Sequence, residues 1–113
     1  MTVRELCQSL SLTEFHTEDP ERAVTGGYAG DFLSWVMGRA EPDCAWLTIM
    51  SNVNVCAVAV LADVACVILT EGVTPDSDLL SRCRIQGVTL LGTDKTTFDA
   101  AAALKGLLQV SCF

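Results

Sequence analysis

The pattern of apolar and polar positions predicts short strands that alternate with helices. Three nearly uninterrupted apolar runs, at residues 44–50, 66–70 and 88–91, are typical of strands buried on both faces of a sheet. A weaker alternation at residues 12–17 predicts a first strand before the acidic turn at residues 18–20. Residues 25–30 contain three glycines, so we expect a loop there.

Capping signals predict where the first two helices begin. Thr2 and Glu5 are spaced as a capping box, in which each side chain accepts a hydrogen bond from a backbone N–H group at the start of a helix. Asp31 is placed to cap a second helix, whose apolar side includes Trp35 and Val36.

Three further helices follow in the predicted order. Small apolar residues at 55–62 form the first of them. Thr74 can cap the next helix, which ends at Gly87. A second capping box at residues 96–99 opens an alanine-rich final helix, and the tail at residues 109–113 is expected to fray.

These elements predict an α/β fold. Apolar strands that alternate with helices indicate a mainly parallel central sheet that is covered on both faces, which is a three-layer α/β/α sandwich. The chain has 113 residues, half of them apolar, so residues 1–113 are expected to form a single domain with one core.

Charge and hydropathy exclude several classes of partner. A formal net charge of -7 repels a phosphate backbone and an anionic membrane, so we expect no nucleic acid and no membrane partner. The most apolar stretch, residues 55–69, is interrupted by Asp63 and is shorter than the roughly 20 residues that cross a bilayer. The first residues lack the pattern of a secretory signal, which indicates a cytoplasmic protein.

The cysteines and the single histidine do not suggest a metal site or a catalytic centre. Six cysteines are widely spaced without a C-x-x-C pair, so we expect them to fill the core as small apolar residues: Cys7, Cys44, Cys56, Cys66, Cys83 and Cys112. His16 has no second histidine to work with. Because no nucleophile, base and orienting group stand together, we expect no enzyme activity, no metal and no cofactor.

Polar residues follow the predicted strands. Ligands of parallel sheets bind beyond the carboxyl ends of the strands, where backbone N–H groups of loops and helices converge. Ser51, Asn52 and Asn54 follow one strand and can either bind a ligand or cap the next helix. Thr93 and Asp94 follow the last strand, and Asp94 can either meet a ribose hydroxyl or cap a turn.

Residues 21–27, with the sequence ERAVTGG, resemble the signature of the DRTGG domain family, with Glu21 in place of the usual Asp. Further similarity at residues 28–34, 48–54 and 91–94 extends the resemblance over residues 10–108. The resemblance implies the α/β/α fold of the N-terminal domain of HPr kinase/phosphorylase, and it implies frequent dimerisation. It also implies a regulatory setting, since such domains are fused to CBS-domain pyrophosphatases and to phosphotransacetylases.

The signature itself permits two interpretations. Thr25, Gly26 and Gly27 can cradle an anion with their backbone N–H groups, or the glycines can allow a turn of positive φ and close packing. Arg22 can contact a phosphate or carboxylate of a ligand. It can equally pair with a neighbouring carboxylate, that of Glu18, Asp19 or Glu21, to fix the turn.

Two functions of different classes are consistent with these observations. The first is a non-catalytic regulatory module that binds an adenylate-like nucleotide or another small anionic metabolite at the strand ends and passes its occupancy to a partner or across a homodimer. The alternative is a structural dimerisation or interaction domain that docks on a metabolic or redox enzyme through Trp35, Trp46, Phe98 or Phe113. A small enzyme that uses Asp94 or Cys56 is a third and weaker alternative.

Overall fold

The computed structural model describes residues 1–111, with side chains described through residue 109. The expectations for Cys112 and Phe113 lie outside the described residues. The described chain contains five strands, β1 (Thr13–His16), β2 (Gly26–Ala29), β3 (Cys44–Thr48), β4 (Cys66–Leu69) and β5 (Leu90–Gly92). Its helices are α1 (Val3–Leu10), α2 (Leu33–Arg39), α3 (Asn54–Ala62), α4 (Ser77–Gln86) and α5 (Thr97–Ser111).

The five strands form one sheet in the order β1-β5-β4-β3-β2. The pairs β2–β3, β3–β4 and β4–β5 are parallel, whereas β1 lies antiparallel beside β5. Trp46 on β3 pairs with Tyr28 on β2 and with Val67 on β4, which fixes the register at the centre of the sheet. The prediction of an α/β fold with a mainly parallel sheet is confirmed.

Helices cover both faces of the sheet. Trp46, Val67 and Leu69 lie in the core beneath α2, α3 and α4. Leu47 and Ile68, which alternate with them along the strands, pack on the other face with the apolar residues of α1 and α5. Because both sets are buried, β3 and β4 are apolar at nearly every position. The predicted three-layer sandwich is therefore confirmed.

The connections that follow β4 and β5 leave the sheet on opposite faces. Helices α2, α3 and α4 all lie on the same face, whereas α5, which follows β5, lies on the opposite face. The segments that leave β4 and β5 therefore turn to opposite sides of the sheet, which is the arrangement that opens a crevice at the carboxyl ends of parallel strands.

Three local predictions are wrong. The expected loop at residues 25–30 contains strand β2, because pairing with β3 overrides the low strand propensity of its glycines. Asp31 does not cap α2, since its carboxylate accepts hydrogen bonds from Thr48 and Ile49 at the end of β3. Asp76, rather than Thr74, caps α4 by accepting from the Leu79 backbone N–H at 2.7 Å. The capping box at Thr2 and Glu5 is confirmed.

Candidate functional site

The nine candidate residues lie at different places on the sheet. Five follow the carboxyl ends of β3 or β5: Ser51, Asn52, Asn54, Thr93 and Asp94. Arg22 and Thr25 lie at the opposite edge, where they contact Asp43 just before β3 begins. Gly26 and Gly27 lie within β2. The structure therefore places these five residues at the carboxyl edge, after strands that flank β4, and the signature segment at the other end of the sheet or within β2.

The turns that follow β4 and β5 are organised by Glu71, which is not one of the nine candidate residues. The Glu71 carboxylate accepts a hydrogen bond of 2.7 Å from the backbone N–H of Thr97 at the start of α5. Beside it, the hydroxyls of Thr70 and Thr97 lie 2.6 Å apart. A helix N-terminus favours negative charge, so the Glu71 side chain occupies the position that an anion would take there. The signal for this role is the Glu-Gly pair directly after a buried strand.

The turns after β4 and β5 are hydrogen-bonded to each other. Glu71 and Gly72 adopt left-handed conformations, with φ of 61° and 73°. In this conformation the Gly72 N–H donates to the Thr93 carbonyl at 3.0 Å, and the Glu71 N–H donates to the Lys95 carbonyl at 2.8 Å. A Cβ at position 72 would lie 3.3 Å from Oδ1 of Asp94, so the glycine lets the exposed Asp94 approach.

The end of β3 presents amide and hydroxyl groups beside the turn between β4 and α4. The Asn52 side-chain oxygen accepts from the Asn54 backbone N–H at 3.0 Å, so Asn52 takes the turn-forming role that its residue type favours. The half-buried Ser51 accepts, through its carbonyl, a hydrogen bond of 3.1 Å from the Asp76 N–H at the start of α4. Ser51 and Asn52 thus adjoin the β4–α4 turn, and the Asn54 side chain is exposed.

The carboxyl edge is acidic. Asp31, Glu71, Asp76 and Asp94 lie in the segments that follow the strands or precede the helices, and Lys95 lies among them. In the part of the chain that the structure describes, no group of three or more potential ligand residues is placed to hold a metal ion. Carboxylates and amide oxygens accept hydrogen bonds, so this edge matches the N–H and O–H groups of a ligand better than it matches a free phosphate.

At the opposite edge, Arg22 connects two loops. Its guanidinium donates to Oδ1 of Asp43 at 3.0 Å, to Oδ1 of Asp63 at 3.0 Å, and to the Asp63 carbonyl at 2.8 Å. Both aspartates adopt positive φ, at 66° and 55°. Burial of the guanidinium opposes its charge, but the bonds to Asp43 and Asp63 outweigh this effect and raise the pKa of Arg22. Arg22 thus clamps the turns that precede β3 and β4.

The predicted partners of Arg22 are wrong. Glu21 pairs with Arg4 at 2.7 Å, and Glu18 pairs with His16 at 3.2 Å. Asp19 instead accepts from the backbone N–H of Glu21. The carboxylates that Arg22 binds lie much further along the chain, just before the two central strands.

The two glycines of the signature differ in their surroundings. A Cβ at Gly27 would lie 2.7 Å from Cδ2 of Leu104 on α5, whereas a Cβ at Gly26 would meet nothing within 4 Å. Neither glycine has positive φ, so the predicted turn is wrong, and the close packing holds for Gly27 alone. Thr25 donates its N–H to the Asp43 carbonyl at 3.0 Å. Gly26 and Gly27 also line a groove of about 360 Å³ between β2 and α5, beside Lys105.

The described cysteines are buried and free, as predicted: Cys7, Cys44, Cys56, Cys66 and Cys83. Burial raises the pKa of Cys7 and of Cys44 to about 11 and that of Cys83 to about 12. The pKa of Cys56 is also raised by burial, and its side chain is fully enclosed. A thiol that stays protonated and shielded is a poor nucleophile, which argues against a catalytic role for Cys56.

Comparisons with known proteins place these observations in a family. A model of the DRTGG domain matches residues 33–107. The fold is similar to a crystal structure of the CBS and DRTGG domains of the regulatory region of a Clostridium perfringens pyrophosphatase, complexed with its activator diadenosine tetraphosphate. That similarity has a TM-score of 0.71 at 13% sequence identity, and it covers 90% of this chain and 45% of the other.

This chain therefore corresponds to less than half of that regulatory region. No curated protein sequence matches the chain. The signature at residues 21–27 precedes the matched segment, so the family match depends on the strands and helices that follow it. Among the described residues, no helix has both the length and the hydropathy to span a bilayer.

Proposed function

The chain belongs to the DRTGG domain family, and we propose that it is a non-catalytic regulatory module that senses a small ligand at the carboxyl edge of its sheet. The observation that carries the proposal is the divergence of the β4 and β5 connections beside five polar candidate residues. The fold similarity to a regulatory region adds support. Free, buried cysteines favour a reducing compartment, so we place the module in the cytoplasm.

We propose an adenylate-like nucleotide as the ligand, recognised mainly through its base and ribose. The exposed Asp94 carboxylate can accept from ribose hydroxyls, as acidic residues do at comparable strand ends of other α/β folds. The Ser51 hydroxyl and the Asn52 amide lie next to the β4–α4 turn and offer both donors and acceptors to a base. Thr93 adds a hydroxyl from the β5 end.

The negative charge of the carboxyl edge determines how the phosphate groups of a nucleotide contribute to its binding. Glu71 already fills the N-terminus of α5, and the neighbouring carboxylates repel a free polyphosphate. Phosphate groups therefore extend away from the sheet, towards Lys95, or bind together with Mg²⁺ that offsets their charge. On this basis we expect adenosine to bind, and we expect Mg-ATP to bind more tightly than ATP without Mg²⁺.

A thermal-shift screen of the full chain tests the proposal. Adenosine, AMP, ATP with and without Mg²⁺, and diadenosine tetraphosphate are added in excess. A ligand at 100 times its dissociation constant stabilises the native state by about 2.7 kcal/mol, which raises the Tm by roughly 11 °C for a chain of this size. Asp94→Asn and Asn52→Ala should reduce the shift. Arg22→Ala should lower the starting Tm and preserve the shift. The absence of any shift across the panel would refute the ligand-sensing function.

A second candidate function is self-association or docking on a partner enzyme. Trp46, one predicted interface residue, is fully buried and donates its indole N–H to the Gly30 carbonyl at 2.8 Å, so it belongs to the core. Trp35 and Phe98 are exposed, as is Phe32, which contacts Trp35. These exposed rings favour a homodimer, which sedimentation over a concentration series would detect. A monomer at every concentration would exclude it.

A further inference from the structure

The two edge strands of the sheet differ in how well they are protected against a further strand. At one edge, β1 carries the charged side chain of Glu14, and its register with β5 shifts between Glu14 and His16. Charges and irregular registers keep an edge strand from pairing with another chain. At the other edge, β2 pairs with β3 in unbroken register, and its sequence GGYA contains no charged residue and no proline. β2 therefore lacks the features that protect β1.

The backbone of β2 offers hydrogen-bonding groups on its outer side. Gly30, directly after β2, donates its N–H to the Leu47 carbonyl of β3 at 3.1 Å. Because the N–H and C=O groups of successive residues in a strand point to opposite sides, Tyr28 also faces β3, whereas Gly27 and Ala29 face outward. Both outward residues are exposed, and among the described residues no hydrogen bond to their outer groups is present. Each therefore presents one N–H and one C=O to a further strand.

The chain itself pairs with this outer side just before β2 begins. Thr2 and Ala23 form an antiparallel bridge, and the Val24 N–H donates to the Met1 carbonyl at 2.7 Å. The next N–H, that of Thr25, points the other way, towards the residue that precedes β3. The pairing stops at Met1, opposite Val24, and the edge continues along β2. An antiparallel strand on β2 would therefore extend an arrangement that the N-terminal segment begins.

A groove beside the open edge can receive side chains from such a strand. It lies between β2 and α5, has a volume of about 360 Å³, and its walls are mostly apolar and include Leu47 and Leu104. Gly27 has no side chain and Ala29 has only a methyl group, so β2 leaves the groove unfilled. Side chains alternate between the two faces of a sheet, so every second residue of an added strand would point into the groove.

The charge in the groove is opposite to that of the chain as a whole. Among the described residues that line it, Lys105 alone is charged, and it is exposed on α5. The chain carries a net charge of -7. The groove therefore favours a ligand that brings a carboxylate to this point, because opposite charges across an interface fix its register and its partner.

We propose that β2 is a docking edge for an extended segment of a partner protein, which joins the sheet as an additional strand antiparallel to β2. The backbone groups of Gly27 and Ala29 bond to the segment, an apolar side chain fills the groove, and a carboxylate pairs with Lys105. In this mode of recognition, main-chain hydrogen bonds provide affinity, and pockets for alternate side chains provide specificity. The segment therefore carries an apolar residue and an Asp or Glu that are separated by one position.

Selection from a phage-displayed library of random octapeptides on the full chain tests the proposal. We expect the selected peptides to carry an apolar and an acidic residue separated by one position. One selected peptide, labelled with fluorescein, is then titrated with the wild type and with variants, and its anisotropy gives the dissociation constant. A library without enrichment, or with enrichment of basic peptides, would overturn the proposal.

Ala29→Pro tests the strand pairing. Proline removes the outward N–H of residue 29, and an edge strand tolerates a proline whose nitrogen faces solvent, so the fold should persist. The dissociation constant of the peptide should rise about tenfold, because one hydrogen bond is lost and the ring obstructs the added strand. Ala29→Ser keeps the N–H and is the matched control, which should bind like the wild type. Equal binding by both variants would overturn the pairing.

Lys105→Ala tests the charge and does not alter the edge strand. It should raise the dissociation constant of the peptide about threefold, which is the effect of one exposed ion pair. Arg84→Ala removes an exposed cation from α4, on the opposite face of the sheet, and should leave the affinity unchanged. Equal losses in the two variants would overturn the role of Lys105.

Hydrogen exchange separates an added strand from a ligand that only fills the groove. In the free chain, the amides of Gly27 and Ala29 should exchange faster than that of Tyr28, which bonds to β3. The bound peptide should slow the exchange of both outward amides. A peptide that binds without protecting them would overturn the added strand.

A second copy of the chain is the other possible occupant of this edge, and sedimentation distinguishes it from a partner protein. We expect the wild type and Ala29→Pro to have the same oligomeric state. A dimeric wild type that becomes monomeric in Ala29→Pro would show that β2 pairs with β2 of another copy, and it would overturn the proposal.

Discussion

Arg22 is expected to stabilise the fold rather than to bind the ligand, and Arg22→Ala tests this expectation. The guanidinium makes two carboxylate contacts at 3.0 Å and one carbonyl contact at 2.8 Å. The Asp43 and Asp63 side chains are 48% and 69% exposed, so each ion pair is worth only about 0.5 kcal/mol. The charged bond to the Asp63 carbonyl adds about 1.5 kcal/mol.

The variant should therefore lose about 2.5 kcal/mol of unfolding free energy, which corresponds to a fall in Tm of roughly 10 °C. Arg22→Lys should lose about half as much, because an ammonium keeps the charge but cannot reach three acceptors in fixed directions. Arg4→Ala is the matched control. It removes one ion pair between side chains that are both more than half exposed, and it should cost less than about 0.5 kcal/mol.

Urea unfolding followed by the fluorescence of the buried Trp46 measures these differences. The midpoint should fall in Arg22→Ala without a change in the slope m, as expected when stability changes and the extent of unfolding does not. If Arg22→Ala were as stable as Arg4→Ala and no longer responded to ligand, Arg22 would be a ligand contact and the clamp would be refuted.

Three further predictions concern the glycines, Glu71 and the buried thiols. Gly27→Ala should lose about 1 kcal/mol of unfolding free energy in urea, because the added Cβ meets Leu104. Gly26→Ala, the control, should stay within about 0.5 kcal/mol of the wild type. Equal losses in the two variants would contradict the close packing at Gly27. Glu71→Gln should tighten the binding of ATP without Mg²⁺ in calorimetry, because it removes a carboxylate that repels the phosphates. An unchanged affinity would contradict this repulsion. Burial raises the pKa values of Cys7, Cys44 and Cys83, so the thiols of the unfolded chain lose their protons at lower pH than those of the folded chain. The unfolding free energy should therefore be fully retained below pH 9 and should fall from there towards pH 12. A urea midpoint that stayed constant from pH 8 to pH 10.5 would contradict that burial.

The central strands were predictable from sequence because both of their faces are buried. Such strands carry apolar residues at nearly every position, and a short apolar run between turn signals identifies them. Strand β2 was not predictable in this way. Its sequence, GGYA, has low strand propensity, and pairing with β3 along one side determines its conformation.

The wrong prediction of a loop at β2 also affects the candidate site. A loop at residues 25–30 could lie at either edge of the sheet, so the sequence alone does not separate Arg22 and Thr25 from the strand ends. Once β2 is a strand parallel to β3, the residues before it must lie at the amino edge. The partners of Arg22 are separated from it by 21 and 41 residues, and no local pattern identifies contacts at such distances.

The most direct test of ligand sensing at the carboxyl edge is an amide NMR titration of the full chain with adenosine and with Mg-ATP. The account predicts that the shifted amides cluster at residues 51–54, 71–74 and 92–96, and that the amides around Arg22 and β2 stay unchanged. Shifts confined to the groove at Gly26, Gly27 and Lys105, or no shifts at saturating ligand, would contradict it.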